Sequence, residues 1–208
     1  MKPEIEAFLG SLHDDGVTDP KVLDVMARIP RERFVEAQLA HRAYDNLPLP
    51  IACSQTISQP SVVGLMTQQL GLDSRMKVLE VGAGSGYQTA ILASLCRRVY
   101  ALERHETLAE QARERLASLD ISNVILAHGD GSEGWPLHAP FDRILVAAAA
   151  EDPPQPLLDQ LRVGGVMILP VGDEGVIQQL IKVTRDPDGY TYDELMPVRF
   201  VPLLHGFG

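Results

Sequence analysis

Three glycines at alternate positions, Gly82, Gly84 and Gly86, are the residues most able to form a ligand site. They follow an apolar run, Val78–Val81, and a helical pattern begins directly after them. A strand that turns through glycines into a helix presents bare backbone N–H groups to a ligand, which favours a nucleotide-type site. The spacing does not fit the dinucleotide fingerprint G-x-G-x-x-G, because Tyr87 stands where the third glycine is required.

Two other glycine motifs are excluded by the neighbouring residues. A P-loop would continue with Gly-Lys-Ser or Gly-Lys-Thr, and neither follows. A nucleophile elbow around Ser85 would need glycines where Ala83 and Tyr87 stand. The remaining pattern, E-x-G-x-G-x-G beginning at Glu80, is similar to the first motif of Rossmann-like methyltransferases that bind S-adenosyl-L-methionine. A tight turn without a ligand is the alternative interpretation of the loop alone.

Acidic residues follow the next two predicted strands. Glu103 ends the run Arg98–Leu102 and comes 21 positions after Gly82, close to the spacing of about 20 expected for a carboxylate that binds ribose hydroxyls. Asp130 lies between two glycines after the run Val124–Ala127 and could reach an adenine edge. An ordinary Asp-Gly turn is the alternative for that residue.

The elements that must position these residues alternate between strand and helix. This alternation predicts an α/β fold: a Rossmann-like, doubly wound, mostly parallel sheet, preceded by N-terminal helices. The last two strands, joined by residues 186–189, are expected to add to one edge in antiparallel fashion. The predicted strands are 78–81, 98–102, 124–128, 141–148, 166–171, 177–183 and 198–203, and the predicted helices among them are 87–95, 105–119 and 156–161.

The N-terminal part is predicted to be helical except for one long segment. Apolar spacing indicates a helix over 5–12, and Thr18-Asp19-Pro20 is typical of a helix start. A proline-rich stretch, Tyr44–Gln55, is predicted to be a long ordered loop. A further helix is predicted to end at Gly71 and to be capped by Ser58.

Composition excludes several classes of protein. The 208 residues suit one domain, 1–208, which we divide into N-terminal helices with a substrate and cofactor loop (1–75) and a cofactor-binding core with C-terminal strands (76–208). The formal net charge of −10 argues against a broad nucleic-acid surface. No apolar run approaches the ~20 residues that span a bilayer, so we expect no membrane partner.

Cysteine and histidine usage favours a reduced protein without a metal. Cys53 and Cys96 are far apart and form no C-x-x-C motif, so a cytoplasmic location is expected. The first residues show no signal-peptide pattern. The six histidines form neither H-x-x-x-H nor H-E-x-x-H, and no metal site is predicted. For one domain of this size a monomer is the expectation.

A second candidate site lies in the segment Gln55–Pro60, ahead of the glycine loop. A helix N-terminus carries unpaired N–H groups and partial positive charge, which suit a carboxylate. The hydroxyl of Ser58 could donate one more hydrogen bond to such a ligand. The alternative is that Ser58 only caps the helix.

Taken together, the segments of this chain resemble protein-L-isoaspartate O-methyltransferases. The segments that carry the resemblance are 28–35, 43–51, 55–60, 78–92, 129–131, 139–142, 158–165, 169–172 and 199–203, in order along nearly the whole chain. The Thr56-Ile57-Ser58 segment is the specific part, because methyltransferases in general lack it.

The resemblance implies a protein repair enzyme that transfers the methyl group of S-adenosyl-L-methionine to the free α-carboxylate of L-isoaspartyl residues in damaged proteins or peptides. It implies that Ser58 is the active-site serine, and that the substrate meets Thr56, Ser58, Val201, Pro202 and Leu203. The cofactor positions that it implies are Gln55, Thr56, Ile57, Ser58, Glu80, Gly82, Gly84, Gly86, Glu103, Asp130 and Gly131.

The chain departs from the pattern of this family at two places near the expected substrate mouth. Ala52-Cys53-Ser54 stands where the family usually has glycines, and Ser61 stands where an aromatic residue or histidine is common. Two alternatives therefore stay open. One is a related methyltransferase that acts on another carboxylate or a small molecule, and the other is a non-catalytic module that binds S-adenosyl-L-methionine.

Overall fold

The N-terminal region surrounds a small hairpin with helices. A computed structural model describes residues 3–173 and 175–208. The helices α1 (Pro3–Asp14) and α2 (Pro20–Arg28) are followed by two 3₁₀ helices, Arg31–Phe34 and Ala37–Arg42. Asp19 caps α2 by accepting a hydrogen bond from the Lys21 N–H, and Pro20 occupies the first turn, as the sequence predicts.

The stretch predicted to be a long loop, 44–55, contains one strand of an antiparallel pair. The strands β1 (Leu49–Pro50) and β2 (Thr56–Ile57) form a two-stranded hairpin. The apolar residues of the segment explain its order, because Leu49 and Ile51 are buried in the core that α1 and α2 cover. The prediction of order is confirmed, and the prediction of a loop without strands is wrong.

The remaining elements build the sheet and its covering helices. Helix α3 (Pro60–Leu70) ends at Gly71 in a left-handed conformation, as predicted. The elements that follow are β3 (Lys77–Val81), α4 (Tyr87–Leu95), β4 (Arg98–Glu103), α5 (Glu106–Ala117), β5 (Val124–His128), β6 (Phe141–Val146), α6 (Gln155–Gln160), β7 (Leu161–Val171), β8 (Gln178–Asp186) and β9 (Gly189–Val198). Two 3₁₀ helices, Gly131–Glu133 and Pro136–His138, lie between β5 and β6.

Seven strands of the described residues form one sheet in the order β5-β4-β3-β6-β7-β8-β9. The pairs from β5 to β7 are parallel, while β8 and β9 add to the edge in antiparallel fashion. The predicted fold class is confirmed. The chain reverses its direction of winding between β3 and β6, and open α/β sheets bind ligands at such a switch point, outside the carboxyl ends of the strands.

Two predicted elements at the C-terminal end are wrong in extent. The last strand is Gly189–Val198, and residues 199–203 instead run past β6 with a single parallel bridge between Ala149 and Pro202. Strand β7 begins five residues before Val166, because Leu161 pairs with Phe141 and the intervening residues form an irregularity in register. Gly164 and Gly165, which follow the predicted helix 156–161, lie within β7 and accommodate the irregular pairing.

Candidate active site

The glycine loop requires the backbone freedom that its sequence provides. Gly82, Gly84 and Gly86 have φ values of 87°, 53° and 89°, in the left-handed region that side chains disfavour. The Glu103 carboxylate holds this loop, because its Oε2 accepts a hydrogen bond from the Gly84 N–H at 2.8 Å. Its Oε1 accepts another from the His105 N–H at 3.0 Å. One carboxylate therefore ties the glycine turn to the end of β4.

A cavity of about 330 Å³, here called the inner cavity, opens at the carboxyl ends of β3 and β4. Most of the residues predicted to bind cofactor or substrate line it. Those residues are Gln55, Thr56, Ile57, Ser58, Gly82, Gly84, Glu103, Gly131, Val201, Pro202 and Leu203. The sheet and the hairpin thus bring together, at the switch point of the sheet, residues as distant in the sequence as Gln55 and Leu203.

The inner cavity suits a nucleoside cofactor. The carboxylate of Glu103 stands at its polar side, and Leu102, Leu108 and Met66 supply apolar walls. Gly131 must lack a side chain for a packing reason, because a Cβ atom there would overlap Val81. A carboxylate beside glycine turns and apolar walls is the combination that a ribose with a flat base requires.

Three predicted cofactor positions, Glu80, Gly86 and Asp130, do not line the inner cavity. Gly86 is the N-cap of α4 behind the loop. Glu80 is fully buried beneath the loop, and among the described residues neither of its carboxyl oxygens has a hydrogen-bond partner. Burial is the main reason that the pKa of the Glu80 carboxyl is raised to about 8; the nearby Thr89 hydroxyl opposes this shift and the negative charge of Glu103 adds to it.

Asp130 holds the C-terminal tail and does not face the inner cavity. Its Oδ1 accepts hydrogen bonds from the N–H and hydroxyl of Ser132, and its Oδ2 accepts one from the Gly206 N–H at 2.6 Å. Burial alone would raise the pKa of Asp130, but these hydrogen bonds outweigh it and lower the pKa below its ordinary value. The tail is also held by Arg104, whose Nη2 donates to the Phe207 carbonyl.

Ser58 does not cap α3, contrary to the predicted N-cap. The N-cap is Gln59, and the side chain that bonds to the helix N-terminus belongs to Asn46, whose Oδ1 accepts from the Ser61 N–H at 3.0 Å. Among the described residues, the Ser58 hydroxyl makes no hydrogen bond. The serine is therefore free to bind a ligand, and Asn46 takes the capping role that sequence patterns assign to the neighbouring serine.

Ser58 lies between two cavities. A second cavity of about 670 Å³, here called the outer cavity, is lined by Asp15, Gln59, Ile177, Pro197 and Arg199 among others. The two cavities share the lining residues Thr56, Ser58, Ala147, Phe200 and Val201. A group bound in the outer cavity can therefore meet a group bound in the inner cavity at Ser58.

Several lining residues were missed by the sequence analysis. Arg104, His105 and Leu108 follow Glu103 and line the inner cavity. Their position directly after a carboxylate-bearing strand end was the available signal, because this edge of the sheet faces the ligand. Phe200 stands next to a predicted substrate residue and lines both cavities, and nothing in its local sequence distinguishes it from a core aromatic residue.

The turn of the hairpin contains unusual backbone geometry. Cys53 and Ser54 both have a φ of 56°, so two residues with side chains occupy the left-handed region. These are positions where the resembled family usually has glycines. Ser54 and Gln55 line the inner cavity and Thr56 lines both cavities, so the strain of the turn lies beside the inner cavity.

Comparison with known proteins decides the family. A sequence model described as protein-L-isoaspartate(D-aspartate) O-methyltransferase matches residues 4–207. The chain belongs to this family. A protein-L-isoaspartate O-methyltransferase of Paracoccus denitrificans is 57% identical over 201 residues, which cover 97% of this chain and 93% of the relative. One from Cereibacter sphaeroides is 58% identical over 201 residues, with coverage of 97% and 92%.

Solved structures of the family have the same fold. A protein-L-isoaspartate O-methyltransferase with 28% identity superposes with a TM-score of 0.87 and covers 98% of this chain and 67% of that chain. A Plasmodium falciparum protein assigned to the same activity superposes with a TM-score of 0.83 at 27% identity, covering 95% and 97%. That protein was crystallised in complex with S-adenosyl-L-homocysteine.

Two further findings concern membrane-spanning helices and metal ligands. Within residues 3–173 and 175–208, no helix combines the length and apolar character needed to cross a bilayer. The same residues contain no group of three or more histidine, cysteine or acidic side chains arranged to hold a metal ion.

Proposed function

We propose that this protein transfers the methyl group of S-adenosyl-L-methionine to the free α-carboxylate of L-isoaspartyl residues in damaged proteins or peptides. The observation that carries the proposal is the Ser58 hydroxyl, which makes no hydrogen bond in the described chain and stands where the inner and outer cavities meet. The family and its relatives, named for this activity, support the same reaction.

In this proposal the inner cavity holds the cofactor. Glu103 binds the ribose while its remaining lone pairs keep Gly84 in place. The glycine turns let the backbone approach the cofactor closely. Glu80 and Asp130 support the cofactor cavity without lining it. Glu80 lies beneath the glycine loop, and Asp130 holds the C-terminal tail. When bound, S-adenosyl-L-methionine supplies an electrophilic methyl group on a sulfonium.

The outer cavity holds the peptide next to the isoaspartyl residue. The carboxylate is already deprotonated at neutral pH, so no general base is required. Ser58 donates a hydrogen bond that orients the carboxylate oxygen in line with the methyl group and the sulfur. The bound cofactor would supply the methyl group from its sulfonium and leave as S-adenosyl-L-homocysteine, and the residues of the chain would contribute mainly alignment. A backbone amide nitrogen of the peptide then attacks the methyl ester and displaces methanol to give a succinimide, and water reopens this ring partly to normal aspartate.

The two parts of the chain divide this work. Residues 1–75 supply the hairpin with Thr56 and Ser58, while residues 76–208 supply the cofactor cavity and the segment Val201–Leu203. Val201 lines both cavities and meets the substrate, whereas Pro202 and Leu203 line only the inner one. All of these lining residues come from one chain, and a cytoplasmic monomer remains our expectation.

The test is methyl transfer from labelled S-adenosyl-L-methionine to two matched peptides, one with L-isoaspartate and one with normal aspartate. We expect label only in the isoaspartyl peptide. Label in neither peptide, with transfer to another acid, would instead support a related carboxylate methyltransferase, for which the non-glycine turn at Cys53 and Ser54 is the one favourable observation. Cofactor binding without any transfer would indicate a non-catalytic module.

Ser58→Ala then tests the role of the hydroxyl. We expect kcat to fall about 10- to 100-fold, because one orienting hydrogen bond is lost, while the Kd for the cofactor is retained. Ser94→Ala, on the exposed face of α4, is the matched control and should leave both values unchanged. A Ser58→Ala enzyme with wild-type turnover would remove Ser58 from the mechanism.

Glu103→Ala tests the cofactor side. We expect titration calorimetry to show weaker cofactor binding, since the variant loses the ribose ligand and the bond to the Gly84 N–H. Unaltered affinity would contradict the assignment.

A further inference from the structure

A buried arginine outside both cavities contacts the active-site loop. Arg31 belongs to the first 3₁₀ helix and has no solvent exposure. Its Nη2 donates to the Ser58 carbonyl at 2.8 Å, and its Nε donates to the Ala43 carbonyl at 2.8 Å. Its guanidinium also lies over the ring of Tyr87, with Cζ 4.6 Å from the ring centroid.

Burial of the Arg31 cation carries a large desolvation cost. Within the described residues no carboxylate forms an ion pair with Arg31, and its Nη1 has no hydrogen-bond partner. A buried charge carries a large desolvation cost, and apolar replacements of buried charged groups are often neutral or stabilising. The rigid, planar fork of arginine is instead suited to fixing two carbonyls at a set distance and angle.

The Arg31 guanidinium contacts one residue from the substrate side of the proposed site, Ser58, and one from the cofactor side, Tyr87. Ser58, at its hydrogen-bonded end, belongs to the hairpin side of the site. Tyr87, under its planar face, is the first residue of α4 and follows Gly86 directly. The ring of Phe34, on the same 3₁₀ helix as Arg31, packs edge-on against Tyr87 with centroids 5.5 Å apart. The arginine therefore bridges the serine and the end of the glycine loop.

We propose that Arg31 is a positioning residue that fixes Ser58 relative to the glycine loop, and so sets the distance between the substrate carboxylate and the cofactor methyl group. It touches neither ligand, since it lines neither cavity. The proposal rests on the proposed function of Ser58. Small displacements of aligned groups cost large factors in rate, which is why a residue behind the site can control turnover.

The first experiment compares Arg31→Met and Arg31→Lys with Arg33→Met. Arg33 lies on the same 3₁₀ helix but is exposed, so it is the matched control. For Arg31→Met we expect kcat on the isoaspartyl peptide to fall about 10- to 100-fold, with the cofactor Kd changed by less than about twofold. Arg31→Lys should keep one carbonyl bond and give an intermediate kcat. Arg33→Met should behave as the wild type.

The results separate positioning from a structural role. Equal kcat in Arg31→Met and Arg33→Met would overturn the proposal. A parallel loss of kcat, cofactor affinity and melting temperature in both Arg31 variants would also overturn it, because that pattern indicates general loss of structure. If Arg31→Met does not fold, Arg31→Lys decides alone: lower kcat with retained cofactor affinity supports the proposal, and any other result overturns it.

A double-mutant cycle shows whether the effect passes through Ser58. In the Ser58→Ala background, Arg31→Lys should lower kcat by less than about threefold, since the hydroxyl that it positions is already gone. Fully additive losses would overturn the proposal while leaving the function of the protein intact. A wild-type protein that does not methylate the isoaspartyl peptide would overturn the proposed function and, with it, the role of Arg31.

Discussion

The two loops that form the site both contain residues with a left-handed φ, but they use different residue types at these positions. In the glycine loop, every residue with a left-handed φ is a glycine: Gly82, Gly84 and Gly86. In the turn of the hairpin, Cys53 and Ser54 adopt left-handed φ values while carrying side chains. They account for two of the three non-glycine residues with positive φ in the described chain.

This difference shows which kind of energetic cost, backbone strain or electrostatic desolvation, each loop carries. On the cofactor side the backbone itself faces the ligand, so glycines remove the steric strain. The cost there is electrostatic, since Glu80 is buried beneath the loop without a hydrogen-bond partner in the described residues. In the hairpin turn the backbone holds the strain, and the buried charge nearby, Arg31, lies outside the turn against the Ser58 carbonyl.

The largest expected effect comes from adding a side chain to the glycine loop. In Gly86→Ala, a residue with φ of 89° would carry a Cβ atom 3.2 Å from the Cβ of Ala112 and 3.4 Å from its Cα. Left-handed strain and overpacking together should lower the free energy of unfolding by about 2–4 kcal/mol. Urea denaturation measures the loss.

Gly10→Ala is the control for that substitution. Gly10 lies in α1, and a Cβ atom there would meet nothing within 4 Å. This variant should gain about 0.5–1 kcal/mol, because alanine suits a helix better than glycine does. A Gly86→Ala variant as stable as the wild type would contradict the comparison of the two loops, since this loop would then not require a glycine at position 86.

The second prediction concerns the electrostatic cost at Glu80. Burial raises the pKa of Glu80 to about 8 from an ordinary 4.5. Between these two pH values the folded state therefore keeps a proton that the unfolded state has released. Stability from this group is therefore full below about pH 4.5 and is lost as the pH rises toward 8. The slope should be roughly 1 kcal/mol per pH unit or less.

Glu80→Gln keeps the shape of the side chain and removes the titration. Its unfolding free energy, measured by urea denaturation from pH 5 to pH 8.5, should fall less steeply than that of the wild type, and the variant should be the more stable protein at pH 8. If the two proteins show parallel pH profiles of the unfolding free energy, Glu80 is not the titrating group, and the electrostatic cost assigned to it is contradicted.

The same contrast explains which parts of the molecule could be predicted from the sequence. The glycine loop and Glu103 were recognisable because a backbone requirement restricts residue type at fixed spacing. The hairpin was not, because β1 and β2 have only two residues each, too few to show the alternation of a strand, and the burial of Leu49 and Ile57 depends on packing against distant helices. The cap supplied by Asn46 was missed for a related reason: it acts across 15 positions of chain, and capping patterns are local.

The smallest expected effect, and the sharpest test of the comparison, is relief of strain in the hairpin turn. At a φ of 56°, a residue with a Cβ atom carries a penalty of about 1–2 kcal/mol, which glycine avoids. Glycine also makes the unfolded chain more flexible, which cancels about 0.4–1 kcal/mol of that gain. We therefore expect Cys53→Gly and Ser54→Gly each to raise the free energy of unfolding by about 0.5–1 kcal/mol.

Ala52→Gly is the matched control, because Ala52 precedes the same turn without a left-handed φ. It should lose about 0.5–1 kcal/mol, so the sign of the change, read from urea denaturation, separates the two kinds of position. Destabilisation by all three substitutions would show that the side chains of Cys53 and Ser54 contribute more than their backbone strain costs. The hairpin and the glycine loop would then differ in what their side chains contact, and strain would no longer distinguish them.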